Sequence, residues 1–295
     1  MCRQLSGIIS IQSHVTYGHA GNSVAVPTLQ LLGYEVFPIH TVLFSNHTQY
    51  AEGWKGAVMP PEHITDIFNG LRNINVLGGV EAILTGYMGS PAQVDAVIQG
   101  VSMLNQVEPL NGRDYIWVMD PVMPDPKKGC KMATGMPEAW RKAAAYANVI
   151  TPNQYELEQL TEMTIENVDD LKYAIKRLRH QTTGAYVIVK DTSVLPGFAM
   201  CTYDEDTNQF FYCAREKYEF DKAPVGVGDL VSAAITSGMQ RHHDPLMAMQ
   251  HAHGIVDAVV HGTYIKDQYE LDLIHSLRRY IVDGKDCIGS AATKF

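Results

Sequence analysis

The sequence lacks most of the features that would place it outside the ordinary globular class. Its 295 residues include only five cysteines, Cys2, Cys130, Cys201, Cys213 and Cys287. The number is odd and the spacings fit neither a zinc site nor a disulfide framework, so free thiols in a reducing compartment are expected. No apolar run approaches the roughly 20 residues that span a membrane. Met1-Cys2-Arg3-Gln4 leads at once into a short apolar strand, without the longer stretch of a secretory signal. A cytoplasmic location is the expectation. Nor is there an excess of positive charge: 23 basic residues face 32 acidic ones, a formal net charge of −9. A nucleic-acid surface wants a basic patch, so that class is disfavoured. A nucleotide substrate is compatible, because backbone N–H groups and metal ions also hold phosphates.

What is present is a strand–helix alternation. Gly7 to Ile11, Tyr34 to His40, Val80 to Leu84, Tyr115 to Met119, Asn148 to Ile150 and Tyr186 to Lys190 are short apolar, β-branched runs. A helix is expected from Asn22 to Leu32, and Pro60-Pro61-Glu62 opens another. Gly197 to Tyr203 and Gln209 to Cys213 read as a hairpin around Asp204 to Asn208. From Gly228 onward the chain reads as mostly helical. The alternation predicts an α/β fold: a central, mainly parallel β-sheet flanked by helices on both faces. No Pro/Gly/Ser linker or internal repeat divides it, so residues 1–295 read as one domain. Polar groups follow the predicted strands: Ser13 and His14, Thr48 and Gln49, Gly86 and Tyr87, Asp120, Thr151 to Glu156, and Lys190. Ligands of such sheets bind beyond the carboxyl ends of the strands.

The strongest local signal is Ala223-Pro224-Val225-Gly226-Val227-Gly228-Asp229, followed by the small residues Ser232-Ala233-Ala234. Two glycines allow a tight turn, and a helix start offers N–H groups to an anion. Asp229 is then either a base for an attacking hydroxyl or a helix cap. Glu156, early in a helix, suits Mg²⁺ or simply the helix dipole. Asp120 and Asp125 either share a cation or are solvated. Lys127, Lys128 and Lys131, with Cys130 among them, form either a solvated face or a phosphate-meeting lid. Twelve histidines raise the question of a transition metal. His251 and His253 lie two apart on a predicted helix, and His242-His243 precedes a turn, so neither pair forms a catalytic zinc set.

Taken together, Ser10-Ile11-Gln12-Ser13-His14-Val15, Tyr17 to Asn22, Phe44 to Tyr50, Thr85 to Ser90, Asp120-Pro121-Val122-Met123, Thr151 to Glu158 and Pro224 to Asp229 resemble the pyridoxal kinases of the ribokinase superfamily. The bacterial branch usually called pyridoxamine kinase is the more similar one. The resemblance runs from about Ile8 to Lys294 and implies one ribokinase-like kinase domain. It implies phosphorylation of the 5′-hydroxymethyl group of pyridoxal, pyridoxine or pyridoxamine by ATP with Mg²⁺, often with K⁺, by a homodimer. Carried over, Asp229 is the base and Gly226, Val227 and Gly228 form the anion hole. Ser13, Thr48, Gln49 and Tyr87 meet the pyridine ring. Asp120, Thr151, Glu156 and Lys190 surround the nucleotide phosphates and cations. Three features depart from the pattern: Val227 stands where many relatives have Thr, Pro124 where they often have Gly, and Ala214 to Lys222 differ most. Two rival readings remain: a hydroxymethylpyrimidine or other small-alcohol kinase of the same fold, and a non-catalytic carrier of pyridoxal phosphate.

Overall fold

A computed structural model describes residues 5–125, 133–284 and 291–295. Lys127, Lys128, Cys130 and Lys131 therefore lie outside the described residues, as do Cys2 and Cys287.

In chain order the strands are β1 (Gly7–Tyr17), β2 (Val36–Asn46), β3 (Gly56–Val58), β4 (Val80–Thr85), β5 (Ile116–Met119), β6 (Val149–Ile150), β7 (Tyr186–Val189), β8 (Phe198–Asp204), β9 (Gln209–Arg215) and β10 (Thr293–Lys294). The helices are α1 (Asn22–Leu31), α2 (Pro61–Asn73), α3 (Pro91–Leu104), α4 (Met136–Ala144), α5 (Gln154–Thr161), α6 (Val168–Gln181), α7 (Val227–His242), α8 (Pro245–Ile265) and α9 (Leu273–Val282). The strands form one sheet in the order β10-β9-β8-β7-β6-β5-β4-β1-β2-β3. Its six inner strands, β7-β6-β5-β4-β1-β2, are mutually parallel, and antiparallel strands close both edges.

Strand residues alternate between two cores, as the pleat requires. Ile9, Ile83, Trp117 and Val187 face one core with Phe68 of α2, Val97 of α3, Trp140 of α4 and Ile175 of α6. Ile8, Leu84, Val118 and Ile188 face the other with Leu29 of α1, Ile235 of α7, Val256 of α8 and Leu277 of α9. Burial on both faces explains why these strands read as continuous apolar runs. Among the described residues, no helix is long and apolar enough to cross a membrane.

Two strands differ most from the sequence expectation. The first strand does not stop at Ile11. It pairs with β4 only as far as Ile11 but continues against β2 to Tyr17, with a register shift between Gln12 and His14. Ser13 and His14 thus belong to the strand itself rather than to a following loop. The second strand likewise begins at Val36 and reaches Asn46. The polar extension of β1 escapes an apolar-run criterion because Ser13 lines a cavity rather than the core, whereas β2 simply runs on past Thr41 through Val42, Leu43 and Phe44. That cavity opens where β1 has β2 on one side and β4 on the other, so that successive connections run in opposite directions. Such a switch point leaves a crevice at the carboxyl ends of the strands.

Candidate active site

The geometry of the candidate site starts from the turn before α7. Gly226 sits at φ 88° at the head of the helix. A Cβ there would lie 2.2 Å from the carbonyl oxygen of His19, so glycine is required on both counts. No side chain caps α7. The cap reading of Asp229 is thereby corrected: its carboxylate instead accepts a 2.9 Å hydrogen bond from the backbone N–H of Gly21. No side chain therefore occupies the positive end of the first turn. Asp229 is only partly buried and lines the crevice. Burial and then the nearby Asp120 push its pKa up to about 6, against the Gly21 N–H and Lys190, which hold it down.

Below this turn lies a buried charged centre. Lys190, at the end of β7, donates to Asp120 at 2.5 Å and lies 3.6 Å from Glu156. Ser232, one helical turn after Asp229, donates to the other oxygen of Asp120 at 2.7 Å and lies 3.0 Å from the Thr151 hydroxyl. Glu156 accepts from the backbone N–H groups of Asn153 (2.8 Å) and Met123 (3.3 Å). It also completes a capping box with Asn153 at the start of α5. Its helix-terminus reading therefore holds in full, alongside its place in the charged centre. Burial raises the Glu156 pKa to about 7, with Lys190 opposing. Burial also raises that of Asp120. Burial disfavours a charged Lys190, but Asp120 and Glu156 outweigh it and raise its pKa. A Cβ on Gly228 would sit 3.7 Å from the Lys190 ammonium, so the two centres adjoin.

The crevice above is a cavity of about 540 Å³ that brings Ser13, Thr48, Gln49, Tyr87 and Asp229 to one space. Four sequence-predicted ring-binding residues thus share a wall with the predicted base. Sequence reasoning missed several companions. Phe44 and Trp54 stack at 3.9 Å on its side, and Val15, His47 and Val225 also line it. Pro124, the departure noted above, lines it too. Ser232 was also missed, although its i+3 spacing from Asp229 put it on the same helix face. Asp120 turns its two oxygens to Lys190 and Ser232.

The fit of a divalent ion can be judged from these donors. Among the described residues no group of three or more His, Cys, Asp or Glu is arranged to hold a metal. Asp120 and Glu156 offer hard oxygen, yet every one of their four carboxylate oxygens already accepts a protein donor. That set fits a Mg²⁺ that keeps its waters and arrives on a nucleotide, and not a resident metal cage.

Residues 17–271 match the family model described as phosphomethylpyrimidine kinase. The chain is 41% identical over 290 residues to pyridoxal kinase PdxY of Vibrio vulnificus, covering 95% of this chain and 96% of that protein. It is 37% identical over 279 residues to pyridoxal kinase PdxY of Haemophilus influenzae, covering 92% and 93%. Among solved structures it is similar to pyridoxal kinase from Leishmania donovani in complex with ADP and pyridoxamine, with a TM-score of 0.82, 28% identity and coverage of 97% and 98%.

Proposed function

The chain belongs to the pyridoxal kinase family, and from that premise we propose how its ribokinase-like fold carries out the family's reaction. It is a kinase that transfers a phosphoryl group from ATP to the 5′-hydroxymethyl group of pyridoxal, giving pyridoxal 5′-phosphate in vitamin B6 salvage. The observation that carries the site assignment is the shared cavity. Asp229 lies beside Ser13, Thr48, Gln49 and Tyr87 at the mouth of an uncapped helix.

In the proposed mechanism the flat pyridine ring lies between Tyr87 and the Phe44–Trp54 stack, with its polar edge on Ser13, Thr48 and Gln49. Asp229 accepts the hydroxyl proton as the alcohol oxygen attacks the γ-phosphorus and the bond to the β–γ bridging oxygen breaks, releasing ADP. A base with a pKa of about 6 is suited to this near neutral pH. The N–H groups of residues 226 to 228 and the dipole of α7 stabilise charge on the transferring group. Val227 contributes only its backbone, so the missing hydroxyl of its relatives costs no N–H donor. Lys190 balances Asp120 and Glu156 and faces the phosphates, with Thr151 alongside. Mg²⁺, bound through the nucleotide, would neutralise phosphate charge; Asp120 and Glu156 would hold its waters. Lys127, Lys128 and Cys130 are proposed as a lid, and K⁺ as an activator with no residue assigned to it. One kinase domain spanning 1–295, a homodimer and a cytoplasmic location complete the proposal.

Initial rates with ATP and pyridoxal, pyridoxine, pyridoxamine or hydroxymethylpyrimidine, with and without Mg²⁺ and K⁺, test this reading. A pyridoxal-type vitamer is expected to be the preferred acceptor. A clear preference for hydroxymethylpyrimidine would favour the reading suggested by the family model's description. Tight vitamer binding without transfer would favour a carrier.

A further inference from the structure

We propose that Glu270, in the turn between α8 and α9, is a positioning residue that sets the acceptor-binding loop in register with the base. This rests on the site assignment above and deepens it. Three donors from two distant loops converge on this one carboxylate. Tyr50 donates its hydroxyl at 2.7 Å, His47 its Nε2–H at 2.9 Å, and His19 its backbone N–H at 2.9 Å. The partners are between 220 and 251 residues away in sequence, so the contact joins segments with no local reason to meet.

Thr48 and Gln49 lie between His47 and Tyr50, the two side chains that Glu270 holds. The restraint also passes inward. With Nε2–H committed to Glu270, His47 Nδ1 is an acceptor and takes the backbone N–H of Gln49 at 3.3 Å. Lys222 grips the same segment from the other side, donating to the Gln49 carbonyl at 3.1 Å with its ammonium 3.9 Å from the centre of the Tyr269 ring. Tyr269 stands edge-on to both His47 and Tyr50, each at 5.3 Å.

The third donor leads to the base. His19 presses its carbonyl against Gly226, and Gly21, two residues on, donates to Asp229. Glu270 thus touches the two loops whose separation decides whether an alcohol bound by Thr48 and Gln49 reaches Asp229. Gly18 makes the approach possible: at φ 89°, any Cβ would lie within 2.5–2.7 Å of the Glu270 carboxyl group. Misplacing a reactant by about 1 Å can cost about 100-fold in rate.

The test is steady-state kinetics of the full chain with pyridoxal and ATP for wild type, Glu270→Ala, Glu270→Gln, Tyr50→Phe and the Glu270→Ala/Tyr50→Phe double variant. We expect Glu270→Ala to lower kcat/KM for pyridoxal by about 10- to 100-fold, with the KM for ATP changed less than about threefold. Glu270→Gln should recover part of the loss, because its amide oxygen still accepts from Tyr50. Tyr50→Phe should add little in the Glu270→Ala background, since both act through one contact. Equal changes in both substrates' constants, no change, or additive effects would each overturn the proposal. If Glu270→Ala does not fold, Glu270→Gln and Tyr50→Phe alone carry the same selective prediction. A wild type inactive on pyridoxal would sink the pyridoxal reading, and the comparison would then be made with the alcohol it accepts. An active wild type with unaltered variants sinks only the role of Glu270.

Discussion

Helices α5 and α7 both start beyond the carboxyl ends of parallel strands, and both carry a carboxylate in the first turn. At α5 the carboxylate is Glu156, turned back onto the N-cap backbone in a reciprocal capping box, buried, and faced by Lys190. At α7 it is Asp229, turned outward to a neighbouring loop, with no side chain over the helix end. One terminus gives its donors to a side chain of the protein, and the other leaves them without a side-chain cap. The difference originates at the cap position. Asn153 supplies an oxygen to α5, whereas Gly226 has none to give and is held there by the close approach of His19. A carboxylate early in a helix is therefore not informative by itself; the residue before the helix decides what it is free to do.

Replacing each carboxylate in turn should break the comparison most visibly at α7. Asp229→Ala is expected to lower kcat by about two to four orders of magnitude, the range for losing a general base. The affinity for ATP, measured by calorimetry, should stay within a few fold. The next largest effect should come from Lys190→Met, which leaves Asp120 and Glu156 buried without their cation. A loss of about 3–5 kcal/mol is expected in denaturant unfolding. Glu156→Gln should be milder, because glutamine still completes a capping box. Unfolding stability should change by about 1 kcal/mol or less, while the Mg²⁺ concentration for half-maximal rate rises several-fold. A loss of stability without a change in Mg²⁺ demand would make Glu156 a cap and nothing more.

The smallest effect is one of sign. Burial lifts Asp229 from its ordinary value near 3.8 to about 6. Between those values the folded chain binds more protons than the unfolded chain, so this group's contribution to stability falls as pH rises through that window. At pH 8 the ionised carboxylate carries its full cost. Asp229→Asn should raise Tm at pH 8, with the gain shrinking toward pH 4, even though turnover is lost. In the wild type, kcat should fall as pH drops below about 6, where the base becomes protonated.

Much of this arrangement was legible in the sequence because it is carried by short segments. The six parallel strands announce themselves as apolar runs, since both faces are buried. Asp229 is marked by the glycines before it. The polar half of β1 was not legible, because a strand that lines a cavity has no apolar period to display. β10 was also missed: two residues, Thr293 and Lys294, pair with β9 only because tertiary structure brings them there. Glu270 meets its partners across large sequence separations and carries no local motif, and Ser232, although one turn after Asp229, has its partner Asp120 112 residues away. Their partners become visible only when the loops are assembled in three dimensions.

The central claim is that one carboxylate, freed by an uncapped glycine turn, stands within reach of the acceptor alcohol. A crystal structure with pyridoxal and a non-hydrolysable ATP analogue tests it most directly. The account predicts the 5′-hydroxyl oxygen within about 3.2 Å of an Asp229 oxygen, with the γ-phosphate over the N–H groups of residues 226 to 228. A vitamer seated in the closed cavity with its hydroxymethyl group turned away from Asp229, or a γ-phosphate remote from the start of α7, would contradict it.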